Sequence, residues 1–304
     1  MILCFDIGGT AIKGAVAHSP TDVRTLPRVP TPAQDFDAFV GVLARTLAEI
    51  GEKPHGIAIS IAGVIDPETR AAKVANIPCI DGRLLAADLQ AALGLPVLIA
   101  NDADCLAVAE AGVGAGRGHR IVFGAILGTG VGGGLVVDGR LVNAEGGFAG
   151  EWGHGPAIAA YAGTPPVAIP PFACGCGQRG CVDTVGGARG LERLHRLVHD
   201  KDLDSERIVA DWLAGDAEAA RTVGVLIDLV SSPLALTINI TGATIVPVGG
   251  GLSNCEQLLA EIDRTVRSRT LRRFDRPLVV RGTCRVEPGL IGAAILGLKE
   301  FGHA

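Results

Sequence analysis

Three thiols and an imidazole stand out first: Cys174-Gly-Cys176-Gly-Gln-Arg-Gly-Cys181, with His154 upstream. Three cysteines and a histidine make the ligand set of a closed, four-coordinate structural zinc site, and alternating glycines let a loop wrap a small ion. A disulfide framework explains the cluster less well, because three is an odd number and Met1-Ile-Leu-Cys-Phe-Asp6 lacks the basic start of an export signal. A catalytic thiol is the remaining alternative. A closed zinc site would leave the metal no reaction of its own, so the chemistry is sought in other residues.

Two glycine–threonine turns supply a candidate. Gly8-Gly9-Thr10 lies between the apolar runs Ile2 to Ile7 and Ile12 to Ala17, and Gly128-Thr129-Gly130-Val131-Gly132-Gly133-Gly134 follows Ile121 to Leu127. The second run fits G-x-G-x-x-G, but a dinucleotide fingerprint must open a helix, and Leu135 to Val142 reads as strand and hairpin. No G-x-x-x-x-G-K-[ST] occurs, which excludes a P-loop. Either turn alone is explained as an ordinary hairpin. Two of them, each with bare N–H groups and a Thr hydroxyl, fit paired phosphate clamps. Asp6, just before the first turn, could hold Mg²⁺ through water or could cap the turn.

Asn101-Asp102 ends the apolar run Val97 to Ala100. A carboxylate at the carboxyl end of a strand can take a proton from a substrate hydroxyl, and the same dipeptide also suits a helix N-cap. Glu151 and His154, three apart in Glu151-Trp152-Gly153-His154, can project to one site, although Glu151 in isolation would be a solvated carboxylate.

The elements that must carry these residues alternate between strand and helix, which predicts an α/β fold. Phe36, Phe39, Val40, Leu43, Leu47 and Ile50 have helical spacing. A buried strand is expected at Gly56 to Ile61, and a helix near 103–111 after the Val97 strand. The strand–turn–strand pattern returns about 120 residues after its first occurrence, a weak internal repeat that suggests two related halves. Helices are expected near 188–199, 205–214 and 217–239, and a strand at Thr244 to Val248. Ser253 with Glu256 reads as a capping box for a helix to about Arg267. A strand near Leu278 to Arg281 and a helix at about 290–304 close the chain. The halves divide near Gly112-Val-Gly-Ala-Gly-Arg-Gly118, giving domains 1–117 and 118–304, with the closing helix free to pack back on the first.

Composition narrows the class. The 304 residues are 48% hydrophobic and 19% charged, which excludes disorder, and the net charge of −5 offers no basic face for nucleic acid. Glycine, 43 residues, is at roughly twice its usual share. Cys4, Cys79, Cys105, Cys255 and Cys284 are scattered in apolar surroundings and read as core thiols in a reducing cytoplasm. Val223 to Ile240 is interrupted by Asp228, Ser231, Ser232, Pro233 and Asn239, so a core helix is expected there rather than a membrane span.

These motifs, in this order, resemble the ROK family of repressors and sugar kinases. The resemblance runs from Asp6-Ile-Gly-Gly-Thr10 through Asn101-Asp102, Leu127 to Gly134, Gly150-Glu-Trp-Gly-His154 and the cysteine loop to Gly249-Gly-Gly-Leu-Ser-Asn254. It implies an actin-like ATPase fold of two RNase H-like domains around a cleft, with a zinc-binding loop. It implies ATP held by Gly8, Gly9 and Thr10 and by Gly128, Thr129, Gly130, Gly132 and Gly133, with adenosine along Gly250 and Gly251 and Mg²⁺ near Asp6. Sugar contacts would come from Asn76, Asn101, Asp102, Glu151, His154 and Asp183, with Asp102 as general base. Structural Zn²⁺ would be held by His154, Cys174, Cys176 and Cys181.

Arg28-Val-Pro-Thr-Pro32, Asp37-Ala-Phe39 and Ala75-Asn76-Ile-Pro78 are similar to the family's amino-sugar kinases. The activity implied is ATP-dependent phosphorylation of the 6-hydroxyl of N-acetyl-D-glucosamine, with glucose, fructose and N-acetylmannosamine as alternatives. Asp183 stands where the family usually has Glu, one methylene longer, in the part of the site expected to separate N-acetylated from plain hexoses. A ROK repressor would carry a helix-turn-helix ahead of the first turn, and this chain reaches that turn by residue 8. A catalytically dead sugar sensor is disfavoured by Asp102. No membrane or nucleic-acid partner is expected; a homodimer is compatible with the resemblance.

Overall fold

The computed structural model describes residues 1–284 and 287–302. The chain forms two compact units. The first comprises Met1–Gly118, Gly134–Ala149 and the chain from Cys284 onward, and the second His119–Gly133 and Gly150–Thr283.

The first unit opens with β1 (Ile2–Ile7), β2 (Ala11–Ser19), β3 (Asp22–Thr25), β4 (Val29–Pro30) and α1 (Phe36–Glu49). It continues with β5 (Ile57–Ile61), β6 (Val64–Ile65), β7 (Ala72–Lys73), α2 (Leu85–Leu93), β8 (Val97–Asn101) and α3 (Asp102–Gly112). Its sheet runs β3-β2-β1-β5-β8, with β4 also on β2. β1 and β2 form an antiparallel hairpin, while β5 and β8 add parallel strands. Alternation along β1 divides its side chains between two faces. Leu3, Phe5 and Ile7 join Phe39, Leu43, Leu85 and Leu89 in one core. Ile2 and Cys4 join Ala58, Cys105, Ala293 and Ala294 in the other. That second face is built of small residues, so helices approach closely. A Cβ added at Gly292 would lie 2.0 Å from the Cys105 carbonyl oxygen.

The chain then runs through β9 (Ile121–Leu127), β10 (Val131–Val137), β11 (Arg140–Leu141), β12 (Tyr161–Ala162) and β13 (Val167–Ala168). Six helices and two strands complete it: α4 (Asp183–Gly186), α5 (Ala188–His199), α6 (Ser205–Leu213), α7 (Ala217–Thr241), β14 (Val246–Gly249), α8 (Glu256–Arg269), β15 (Val279–Arg281) and, in the first unit, α9 (Pro288–Phe301). The second sheet runs β11-β10-β9-β14-β15, with β14 parallel to both β9 and β15. Hairpin first and parallel strands after is the order of the first sheet too, so the repeated turn motif marks a repeated topology.

Several expectations need correction. The glycine run 128–134 is not one long turn: the strand resumes at Val131, leaving only Gly128-Thr129-Gly130 to turn. Ser253 is not the cap of a capping box. It sits in a 3-10 turn, Gly251–Asn254, where its hydroxyl donates to the Gly250 carbonyl at 2.7 Å, and Cys255 occupies the N-cap of α8. α2 was not foreseen, because Ala86, Ala87, Ala91 and Ala92 blur its apolar stripe and Leu84 at its N-cap gives no capping signal. α7 is long and apolar enough to cross a membrane, but over half of its apolar window is buried, as befits a core helix. The last two positions of the closing helix expected at 290–304 lie outside the described residues.

Candidate active site

Both glycine–threonine turns reach the same electrostatic solution by different means. In the first, the Thr31 hydroxyl donates to the Gly8 carbonyl at 2.7 Å and the Thr31 N–H donates to the Thr10 carbonyl at 3.2 Å. The N–H of Gly8 closes the hairpin onto Ala11. Those of Gly9 and Thr10 have no protein acceptor among the described residues. In the second, the start of α5 does the bracing: Ala188 N–H donates to the Gly128 carbonyl at 2.8 Å and Arg189 N–H to the Thr129 carbonyl at 3.4 Å. Thr129 and Gly130 N–H groups are likewise without a protein acceptor among the described residues. Carbonyls occupied and N–H groups open make each turn a concentration of positive dipole suited to phosphate.

Asp6 sits beside the first turn at the end of β1. Its Oδ1 accepts the Ser60 hydroxyl at 2.9 Å and its Oδ2 lies 3.3 Å from the Lys13 ammonium. Asn76 backs onto the same turn: a Cβ on Gly9 would meet the Asn76 Cβ at 3.0 Å. Asp102 is the first residue of α3, at the carboxyl end of β8. Asn101 is the helix N-cap, its Oδ1 accepting from Ala103 and Asp104 N–H and its Nδ2 donating to the Gly63 carbonyl at 2.9 Å. Asn101 thus takes the cap reading, and Asp102 beside it accepts the Ala103 N–H at its Oδ1 at 2.9 Å.

In the second unit the Glu151–His154 segment is fastened to β10. The Trp152 indole donates to the Gly132 carbonyl at 2.7 Å, and a Cβ on Gly133 would strike Trp152 at 2.8 Å. Gly132 and Gly133 therefore lie past the turn, in the strand, where they seat Trp152. Glu151 Oε2 is 3.7 Å from His154 Nε2. Burial pushes the Glu151 carboxyl above its usual range, with neighbouring Asp183 adding to the shift and His154 opposing it. Asp183 opens α4, and its Oδ1 accepts the Val131 N–H at 2.8 Å, directly after the second turn.

The donor atoms of His154, Cys174, Cys176 and Cys181 all lie within 4.8 Å of one another. Cys176 and Cys181 sulfurs are 3.6 Å apart, and Cys174 Sγ is 3.7 Å from His154 Nδ1. A tetrahedral cation with metal–sulfur bonds of about 2.3 Å needs sulfur–sulfur edges of about 3.8 Å, so the four residues fit such an ion. The Gln178 N–H favours the Cys176 thiolate and brings that thiol down to about 7.

A cavity of 510 Å³ adjoins the second turn, lined by Gly128 and Thr129, by Gly251 and Asn254, and by Ser205 and Val209 of α6. Gly250, at φ 88°, packs on the backbone of Leu127 and lets β14 close against the turn. The α6 residues were missed by sequence reasoning. Their sole signal was order along the chain: α6 follows the helix whose start braces the turn.

The profile of the ROK family matches residues 2–300, and the chain belongs to that family. N-acetyl-D-glucosamine kinase of Pasteurella multocida is 32% identical over 303 residues, covering 97% of this chain and 99% of its own. The N-acetylgalactosamine kinase AgaK of Shewanella is 33% identical over 96% of this chain and 95% of its own. Among solved structures, a ROK family glucokinase from Streptomyces griseus in complex with glucose and AMPPNP superposes with a TM-score of 0.76 at 26% identity, covering 97% of this chain and 98% of that one. The fold is the α/β fold of ROK sugar kinases, and the enzyme class is ATP-dependent sugar kinase.

Proposed function

We propose that this enzyme transfers the γ-phosphoryl group of ATP to the 6-hydroxyl of an amino sugar, N-acetyl-D-glucosamine first. The observation that carries the nucleotide half is the duplicated turn, with carbonyls occupied and N–H groups open. The sugar half rests on the relatives' substrates and on Asp102 at the end of β8. The shared strand order of the two sheets supports two RNase H-like domains, and the free cysteines suit a reducing cytoplasm.

In the first unit, Gly8, Gly9 and Thr10 receive phosphate, and Asp6 faces the Mg²⁺ that accompanies ATP. In the second, Gly128, Thr129 and Gly130 do the same, and Gly250 and Gly251 border the adenosine cavity. Mg²⁺ neutralises charge on the phosphates. Asp102 draws the proton from the sugar hydroxyl as that oxygen bonds to the γ-phosphorus. The bond from phosphorus to the β–γ bridging oxygen breaks and ADP leaves. Asn101 fixes the start of α3 and so the aim of Asp102. Asn76, Glu151, His154 and Asp183 contribute to sugar recognition. Zinc, held by His154 Nδ1 and the three thiolates, would fix the imidazole ring and leave Nε2 beside Glu151 to face the sugar.

The test is a phosphorylation assay with MgATP against N-acetylglucosamine, N-acetylgalactosamine, N-acetylmannosamine, glucose and fructose, with the product's position read by phosphorus NMR. N-acetylglucosamine is expected to show the highest kcat/KM, with glucose weaker. Nucleotide binding without transfer to any of these sugars would overturn the proposal.

A further inference from the structure

The turns that receive phosphate carry no charge of their own, yet a polyanion must settle beside Asp6. The same hairpin holds the answer. Asp6 and Lys13 are register partners across β1 and β2, so both side chains leave the same face next to the first turn. The Lys13 ammonium lies 3.3 Å from Asp6 Oδ2 and 2.7 Å from Glu287 Oε2. Glu287 reaches it from the N-cap of α9, in a left-handed conformation with φ 51° that a non-glycine residue adopts at a cost. Asp6 is held from the other side by Ser60, which is fully buried, and by Gly289, where any Cβ would lie 2.4 Å from Asp6 Oδ1. Although burial works against the charge on Lys13, Glu287 and Asp6 outweigh it and hold the ammonium above its ordinary range.

We propose that Lys13 is a positioning residue for the phosphoryl donor: by bridging Asp6 and Glu287 it cancels one of their two charges and aims Asp6, so that Mg·ATP can approach the first turn. The cluster carries two carboxylates and one ammonium, a net −1. Without Lys13 it carries −2, and the added charge faces the incoming triphosphate. At a separation of a few ångströms and an effective dielectric near 20, one charge changes binding by about tenfold or more. The inference rests on the assignment of the first turn to phosphate, and it names a residue that the turn motif alone does not include.

The experiment measures binding of Mg·AMPPNP by calorimetry, with steady-state kinetics alongside, for wild type, Lys13→Met, Lys13→Arg and the double variant Lys13→Met/Glu287→Gln. Lys13→Met should weaken AMPPNP binding about tenfold or more and leave the sugar KM within about twofold. Lys13→Arg should keep most of the affinity. The double variant returns the cluster to −1 and should recover part of what the single variant lost. A merely structural tie would not be repaired by removing its second partner. Unchanged AMPPNP affinity in Lys13→Met, or a double variant no better than the single, overturns the inference. Wild-type protein that does not bind AMPPNP at all overturns instead the phosphate assignment. Melting temperatures of all four proteins identify any variant that loses affinity by failing to fold; in that case Glu287→Gln alone decides, since it takes the cluster from −1 to 0 and should tighten AMPPNP binding, and unchanged or weaker binding overturns the inference.

Discussion

Asp183 is where sequence and geometry make different demands. Its Oδ1 accepts the Val131 N–H at 2.8 Å, and a Cβ on Gly130 would lie 2.2 Å from that oxygen. Gly187 also packs on Gly130, its added Cβ coming within 2.7 Å of the Gly130 Cα. Asp183→Ala leaves a half-buried N–H without a partner, at a cost of about 1–3 kcal/mol. For a unit of this size that lowers the melting temperature by about 2–12 °C. Asp183→Asn keeps an acceptor oxygen and should stay within about 1 kcal/mol of wild type. Asp183→Glu pushes an extra methylene toward a turn already in contact, and overpacking of this kind costs about 1–3 kcal/mol. The assay is thermal melting of the three variants with KM for ATP and kcat/KM for each sugar. Ala and Glu should raise the KM for ATP by about tenfold, 1.4 kcal/mol, because the second turn loses its brace. Asn should leave the KM for ATP alone and alter the sugars unequally if the other oxygen faces the sugar. An Asp183→Ala protein that melts with wild type and keeps its KM for ATP would show that the bond to Val131 does not shape the turn.

Other outcomes follow from the same geometry. Asp102→Asn should cut kcat by about 10²-fold or more while sugar binding, read by calorimetry, persists; near-wild-type turnover would remove Asp102 from the chemistry. Metal analysis should find one zinc per chain, and Cys176→Ser should lower both zinc content and melting temperature. Metal-free protein with full activity and an unchanged melt would dismiss the site. Gly292→Ala places a Cβ 2.0 Å from the Cys105 carbonyl oxygen, so α3 and α9 must separate, and a stability loss of about 2 kcal/mol or more is expected in denaturant titration.

The thiol–imidazole set was legible because few residue types bind zinc and their spacing is short; the four side chains do meet. The turns were legible because they lie between apolar strands. Their extent was not: glycine signals a permissive backbone without saying whether it turns or makes room for a neighbour. Gly133 makes room for Trp152 and the Gly132 carbonyl accepts its indole N–H, a partner about twenty residues on, and nothing local announces it. Ser253 misled for a related reason. Its spacing to Glu256 fits a cap, but the hydroxyl finds the Gly250 carbonyl first, and the helix starts later. The cavity beside the second turn depends on α6, the start of α5 and the 3-10 turn Gly251–Asn254 assembling, which no short pattern encodes.

Aligned on Gly8 and Gly128, the two hairpins show how a duplicated element divides its labour. Asp6 of the first corresponds in position to Ile126 of the second, and Lys13 to Gly133. The first hairpin thus carries both the carboxylate and the ammonium, while the second is uncharged along its strands and fills the lysine's place with Trp152. The second turn takes a carboxylate, Asp183, from α4, and that group is already bonded to Val131. On the proposed assignment, a cation accompanying ATP would be better served at the first turn, where a carboxylate is held by Ser60 and Lys13. On the same assignment, the second turn would bind phosphate through its backbone N–H groups. An acid installed there, Ile126→Asp, would place an unpaired charge beside that turn and should weaken Mg·AMPPNP binding in calorimetry rather than create a second cation site. Tighter nucleotide binding with an added Mg²⁺ equivalent would mean that the division of labour is a matter of one side chain and not of the hairpin that holds it.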